Sequence, residues 1–208
     1  MCRILMVRSQ TAFQVREWLP DFAEMCRESK EFQGHGWGMA MRLNGQWRVH
    51  KNLDPIWEDN HNGFGSCDFL IVHARSAFRD EGIVLENNMP FYDDNHFFIF
   101  NGELHGVKIR EAGRIGAEKI FNYIKRFDKG RLEDAFQKAL GIITRRTSYI
   151  RAMNILMTDG EKIYANTQYG EDPDYFTLFH QKGDKEAFCS QPLGGEWEAL
   201  PNNTLMVR

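Results

Sequence analysis

The sequence predicts an α+β fold built on antiparallel sheets. Strand patterns stand at both ends of the chain, two helical patterns stand together between them, and two hairpin turns join consecutive strands. The first strand is predicted at residues 2–7, and a helix is predicted at residues 11–29, with Pro20 adjusting its course. Asn44-Gly45 between the segments 39–43 and 46–50 predicts a tight hairpin.

The later elements follow from the same periodicities. Apolar residues at helical spacing predict helices around residues 117–124 and 132–140. The irregular, polar segment 78–95 is typical of a loop that carries function. Asp159-Gly160 predicts a second hairpin. The remaining strands are predicted at residues 69–74, 97–101, 153–157, 162–167, 175–180, 187–190 and 204–207.

Composition excludes several classes of protein. Apolar residues make up 42% and aromatic residues 13% of the chain, which excludes intrinsic disorder. A net charge of −3 argues against a nucleic-acid binder that works through a general basic field. No apolar stretch approaches a membrane span, and the N-terminus is too short in apolar residues for a signal peptide. We therefore expect a single cytoplasmic domain over residues 1–208.

The four cysteines lie far apart and show no zinc-binding spacing, which indicates reduced thiols and no metal site. Cys26, Cys67 and Cys189 fall in helix or strand patterns and are expected in the core. Cys2 directly follows Met1, and removal of Met1 by methionine aminopeptidase would give Cys2 a free α-amine. That amine, with a reference pKa of about 7.7–8.0, is able to take the proton of the neighbouring thiol. The alternative is a buried, inert cysteine on an edge strand.

Two other positions carry groups that amide chemistry needs. Asn101-Gly102 follows an apolar strand and offers a side-chain amide and a backbone N–H to an oxyanion; the alternative is an Asn-Gly turn. Arg75 ends another apolar strand and is suited to binding a substrate carboxylate; the alternative is a solvated surface charge.

Five segments, in order, resemble the class-II glutamine amidotransferase domain of the N-terminal-nucleophile (Ntn) hydrolases. The likeness is closest to the stand-alone branch of predicted glutamine amidotransferases and γ-glutamyl hydrolases, and it covers nearly the whole chain. The segments are MCRIL, GHGWGMA, VHARSAFRDEGIVLENNMPF, FIFNGEL and FCSQPLGGEWEALPNNTLMVR. The resemblance implies a four-layer αββα sandwich with two antiparallel sheets, and it implies no cofactor.

The resemblance also implies roles for individual residues. Cys2 would be the nucleophile and its α-amine the base, Asn101 and Gly102 would form the oxyanion hole, and Arg75 would bind the substrate α-carboxylate. Four further residues are candidates for contact with substrate: His35, Trp37, His73 and Glu118. The alternatives are loop packing for His35, a core position for His73, and apolar packing for Trp37 as a pocket wall.

Three positions depart from the family pattern. Gly116 stands where relatives usually carry an Asp that holds the substrate α-amine, His35 stands where they often carry Asp, and Met89 where they often carry His. Recognition of an α-ammonium is weakened unless Glu86, Glu103 or Glu118 substitutes.

We therefore expect an amidohydrolase that cleaves the γ-amide of glutamine or of a γ-glutamyl compound. It would act alone or supply ammonia to a separate partner enzyme, without nucleic acid or membrane. The alternatives are an Ntn acylase acting on a non-glutamyl amide and a non-catalytic ligand-binding module of the same fold.

Overall fold

The computed structural model describes all 208 residues and divides them into two compact units. The first unit comprises Met1–Pro90 and Thr177–Leu200, and the second comprises Phe91–Phe176 and Pro201–Arg208. None of the helices has the length and apolar character needed to cross a membrane. The single domain over residues 1–208 stays a prediction.

The first unit is built on a seven-stranded antiparallel sheet. Its strands are β1 (Arg3–Gln14), β2 (Trp37–Leu43), β3 (Gln46–Asn52), β4 (Ser66–Ala74), β9 (Phe179–Gln181), β10 (Lys185–Cys189) and β11 (Glu198–Ala199). They lie in the order β11-β9-β10-β1-β4-β2-β3, with β1 and β4 near the centre. The helix α1 (Leu19–Arg27) follows β1.

One face of this sheet forms a core with α1. Alternate residues along a strand point to the same face, and Leu5 and Val7 of β1 share a buried cluster with Leu19 and Phe22 of α1. Val72 and Ala74 of β4 belong to the same cluster. The residues between them, including Ile4 and His73, therefore point to the opposite face.

The second unit contains a five-stranded antiparallel sheet in the order β12-β8-β7-β6-β5. Its strands are β5 (Phe91–Tyr92), β6 (Phe97–His105), β7 (Tyr149–Thr158), β8 (Ile163–Thr167) and β12 (Thr204–Val207), and its helices are α2 (Gly116–Lys125), α3 (Leu132–Arg145) and α4 (Pro173–Phe176). Phe121 of α2 stacks on Phe98 of β6 with ring centroids 5.4 Å apart, and Phe136 of α3 lies 5.9 Å from Tyr164 of β8. The apolar stripes predicted for both helices thus pack on this sheet.

The predicted α+β class with two antiparallel sheets is confirmed, and so are both hairpins and both central helices. The helix predicted over residues 11–29 is wrong in its first part. β1 continues to Gln14 because Phe13 and Gln14 pair with Cys67 and Ser66 of β4 after a register shift. Pro20 stands in the first turn of α1, where a missing N–H costs no helical hydrogen bond. The strand predicted at residues 175–180 is also wrong in its first half, where α4 precedes β9.

Candidate active site

Cys2 immediately precedes β1 and lies beside the end of β4. Arg3 pairs with Ala74, so continuing the antiparallel register by one residue sets Cys2 opposite Arg75. Cys2 is 8% exposed, and its thiol donates to the carbonyl oxygen of Ser76 at 3.7 Å. The adjacent ends of two central strands therefore place a buried thiol beside a buried guanidinium.

The environment of the Cys2 thiol pulls its pKa in both directions. Burial is the largest influence and raises the pKa, because the thiolate loses hydration. The positive chain terminus, the contact with Ser76 and the Arg75 guanidinium each lower it, whereas the Glu31 carboxylate raises it. The net effect is a raised pKa with Met1 in place, so this thiol needs a nearby base to become a nucleophile.

Arg75 has the burial and the free capacity of an anion-binding residue. Its backbone extends the sheet, since its N–H donates to Gly36 O at 2.9 Å and its carbonyl oxygen accepts from His35 N at 3.1 Å. Arg75 is 5% exposed; its Nη2 donates to Glu81 O at 3.5 Å, and its Nη1 has no hydrogen-bond partner in the protein. Burial lowers the pKa of Arg75, and the Cys2 thiolate opposes that change. A carboxylate bound here would meet a desolvated donor.

His35 holds the backbone that follows Arg75. Its Nδ1 accepts from the N–H of Ala77 at 2.8 Å, and its Nε2 lies 3.5 Å from the exposed carboxylate of Asp80. Its ring also packs edge-on against Phe32, with centroids 5.1 Å apart. The structure therefore brings His35 to the same strand ends as Cys2 and Arg75, with its Nδ1 already engaged.

Trp37 and His73 are both fully buried, on opposite faces of the sheet. Trp37 belongs to the core cluster with α1, and its indole N–H donates to Asp59 Oδ2 at 3.1 Å. His73 alternates with Ala74 and points to the face that carries Arg75. Core packing accounts for the position of Trp37, so Trp37 is not part of the proposed site.

Asn101 in the second unit combines complete burial with an unsatisfied side chain. It is 0% exposed, and neither its Nδ2 nor its Oδ1 has a hydrogen-bond partner in the protein. Buried amides are almost always paired, so such a group is expected where a ligand or a reacting atom completes the pairing. Its partner across the β6–β7 ladder, Asn154, is by contrast satisfied, since Nδ2 donates to Phe176 O at 2.6 Å and Oδ1 accepts from Gln168 N at 3.2 Å.

Gly102 is required by the close approach of β7. A Cβ at this position would lie 2.2 Å from the carbonyl oxygen of Ala152 and 2.6 Å from the ring of Phe100. Only glycine therefore lets the backbone beside Asn101 run this close to its neighbour.

Of the three carboxylates that are candidates to substitute for an acidic partner at position 116, two are engaged in ion pairs. Glu118 pairs with Arg114 Nη2 at 2.5 Å at the start of α2. Glu103 pairs with Arg151 Nη1 at 3.2 Å and with His105 Nε2 at 2.7 Å. Glu86 is exposed in the first unit. A Cβ at Gly116 would meet nothing within 4 Å.

No group of three or more His, Cys, Asp or Glu residues is arranged to hold a metal ion, and all four cysteines are buried and unpaired. The sequence did not reveal the part of Ser76, because it contributes its main-chain oxygen, which no residue pattern reports. It also did not reveal the segment after α1, where Glu31 and Gln33 hold the chain next to Cys2.

The chain has the fold of the class-II glutamine amidotransferase domains of the Ntn hydrolases, with two antiparallel sheets and flanking helices. No family model matches the sequence, and no curated protein matches it. The fold that this resemblance predicts is thus confirmed by comparison with solved structures.

Three of these structures illustrate the likeness. A glutamine aminotransferase class-II domain protein from Silicibacter pomeroyi has a TM-score of 0.65 and 14% identity, covering 99% of this chain and 94% of its own. A predicted glutamine amidotransferase from Pseudomonas aeruginosa has a TM-score of 0.63 and 15% identity, covering 99% and 96%. Glutamine phosphoribosylpyrophosphate amidotransferase from B. subtilis has a TM-score of 0.65 and 16% identity, covering 91% of this chain. The match takes in 42% of that enzyme, so this chain corresponds to less than half of its length.

Proposed function

We propose that this chain is an amidohydrolase of the glutamine amidotransferase type that cleaves the γ-amide of glutamine or a γ-glutamyl compound. The observation that carries the proposal is the pairing of Cys2 with Arg75 at adjacent strand ends, one a buried thiol and the other a buried cation with an unpartnered Nη1. A substrate whose carboxylate binds Arg75 would present its amide to a nucleophile on the same face of the sheet.

The proposed reaction needs Cys2 as the first residue. Its α-amine takes the thiol proton, and the thiolate attacks the amide carbon. We assign the oxyanion to Asn101 Nδ2 and the Gly102 N–H, on the basis of the sequence resemblance and the unsatisfied side chain of Asn101. The Cys2 ammonium protonates the departing ammonia or amine as the C–N bond breaks. Water, deprotonated by the same amine, then cleaves the thioester and releases the acid.

A partner enzyme that accepts the ammonia is the second part of the proposal. The segment that begins three residues after Arg75 carries exposed apolar side chains: Phe78 is 57%, Ile83 39%, Val84 44% and Leu85 42% exposed. Exposed apolar side chains of this size favour contact with another protein, although a hydrolase acting alone needs none.

The engaged carboxylates favour an alternative substrate. Because Glu103 and Glu118 already pair with arginines, and Gly116 contributes no charge, an amide without an α-ammonium is the second candidate. The enzyme would then be an Ntn acylase that keeps the same nucleophile.

The test is a hydrolysis assay on the chain prepared to begin at Cys2, with Cys2→Ala as the blank. Glutamine, γ-glutamyl amides and the corresponding acyl amides that lack the amino group are compared at equal concentration. The proposal predicts Cys2-dependent release of ammonia or amine from the glutamyl substrates. Preference for the amino-free amides would favour the acylase, and absence of hydrolysis of every amide would favour a binding module.

A further inference from the structure

The segment that follows α1 binds the main chain next to Cys2. Gln33 is 0% exposed, and its Nε2 donates to the carbonyl oxygen of Met1 at 2.5 Å and to that of Glu31 at 2.8 Å. The carboxylate of Glu31 pairs with the α-ammonium of Met1. A buried amide and a partly buried carboxylate thus hold both ends of the first residue.

The hydrogen bond from Gln33 to Met1 O lies next to the nitrogen atom that becomes the catalytic amine. The carbonyl oxygen of Met1 and the nitrogen of Cys2 belong to one peptide group and lie about 2.2 Å apart by standard geometry. When Met1 is removed, the Gln33 amide loses one of its acceptors, and the Glu31 carboxylate loses the ammonium of Met1. Both groups are left beside the new α-amine of Cys2.

The charges around Cys2 make the Glu31 carboxylate distinctive. The groups that act electrostatically on the Cys2 thiol are the chain terminus, the Arg75 guanidinium and the Glu31 carboxylate, and the thiol of Cys26 lies within range of Cys2. Arg75 repels an ammonium, and Cys26 is a buried thiol whose pKa burial raises well above its usual value. Glu31 is the anion of this set and the group that already binds an ammonium.

We propose that Glu31 and Gln33 are positioning residues for the α-amine of Cys2. This inference rests on the proposed function, because it assigns the support for the base in that reaction. Glu31 holds the amine beside its own thiol and stabilises the ammonium that forms when the thiol proton is transferred. Once Met1 is gone, the side-chain amide of Gln33 hydrogen-bonds to the α-amine of Cys2.

The direct test is the titration of the Cys2 amine in a chain released from a cleavable leader so that Cys2 is the first residue. Labelling with [13C]cysteine gives one α-carbon signal for each of the four cysteines, and Cys2→Ala identifies the signal of Cys2. The amine and the thiol of one residue titrate as a coupled pair, so the midpoint is read after the thiol has been alkylated, which leaves the amine as the titrating group of Cys2. A neighbouring carboxylate favours the ammonium, so Glu31→Gln is expected to lower that midpoint by about one pH unit.

Two variants control the experiment. Glu31→Asp keeps the charge and is expected to restore most of the midpoint, whereas Glu28→Gln removes an exposed carboxylate at the end of α1 and is expected to leave it unchanged. Gln33→Met removes a neutral amide. It is therefore expected to lower the rate of amide hydrolysis about tenfold without moving the titration midpoint of the Cys2 amine. An unchanged midpoint in Glu31→Gln, or an equal shift in Glu28→Gln, would overturn the inference.

Amide hydrolysis by the same chains before alkylation separates this inference from the proposed function. An inactive chain whose midpoint still moves in Glu31→Gln contradicts the proposed function and supports the role of Glu31. An active chain whose midpoint does not move in Glu31→Gln supports the proposed function and contradicts the role of Glu31.

Discussion

Arg75 is the residue to which we assign the orientation of the substrate. Its buried guanidinium has an unpartnered Nη1, and a hydrogen bond from a charged group of this kind contributes about 1.5–3 kcal/mol. Arg75→Gln is therefore expected to lower kcat/KM for a carboxylate-bearing amide by about 10- to 100-fold.

The matched control is Arg79→Gln, which removes an exposed guanidinium four residues further on. Steady-state kinetics of both variants check the prediction. Equal losses in the two variants would show that the effect is general electrostatics, with no specific carboxylate contact at Arg75.

Asn101 and Asn154 are neighbours across one ladder with opposite hydrogen-bonding states. Asn101→Ala removes no hydrogen bond within the protein, so the free energy of unfolding is expected to change by less than about 1 kcal/mol. Loss of an oxyanion donor is expected to lower kcat by about 10²- to 10³-fold.

Asn154→Ala is the reciprocal case. It leaves the carbonyl oxygen of Phe176 without its donor, and it is expected to lower the free energy of unfolding by about 1–3 kcal/mol. Urea denaturation and glutamine hydrolysis, measured on both variants, check the pair. A large loss of stability in Asn101→Ala would contradict the assignment of that side chain to the reaction.

At the level of elements, the pairing of β6 with β7 depends on Gly102. Gly102→Ala would place a methyl group 2.2 Å from Ala152 O, so the two strands must separate. We expect a loss of about 1–3 kcal/mol in the free energy of unfolding. Gly116→Ala in the first turn of α2 meets nothing within 4 Å and is expected to gain roughly 0.5 kcal/mol. Urea denaturation of both variants measures these changes. Equal changes in the free energy of unfolding would contradict the close approach of β7 to Gly102.

The elements also show where sequence patterns are informative. The helices α2 and α3 follow from local periodicity, because each apolar stripe is a property of its own segment. Residues 11–14 are predicted as helix from the sequence, but Phe13 and Gln14 pair with β4 more than fifty positions away, and a local pattern cannot report such a partner. Cys2 beside Arg75 is of the same kind, since the β1–β4 register creates that pairing.

For the molecule as a whole, acid stability is expected to depend on carboxylates such as Asp59. Burial alone would raise the pKa of Asp59, but hydrogen bonds from Asn52, His50, the Asn60 N–H and Trp37 together lower it. A carboxyl whose pKa is lowered by folding stabilises the protein above its unfolded pKa of about 3.9, and that stability is lost as the pH falls through the folded value.

Asp59→Asn is therefore expected to lower the free energy of unfolding at pH 7 and to reduce the loss of stability as the pH falls below about 4. Urea midpoints at pH 7 and in that acid range, with the exposed Asp54→Asn as control, check this prediction. An unaltered acid dependence in Asp59→Asn would contradict it.

The fold class, the five family segments and the nucleophile could be predicted from the sequence, because each depends on residues close together in the chain. The engagement of Glu103 and Glu118 by arginines, and the hold on Met1 by Glu31 and Gln33, could not be predicted, since they depend on contacts between separate segments.

The most direct test of the account is the intact mass of the Cys2-terminated chain after incubation with diazo-oxonorleucine, a glutamine-like electrophile, beside the Cys2→Ala control. A glutamine-type nucleophile at Cys2 predicts one adduct on the chain that begins at Cys2 and none on the control. A correctly processed chain that remains unlabelled, or labelling that persists in Cys2→Ala, would contradict a glutamine-type nucleophile at Cys2.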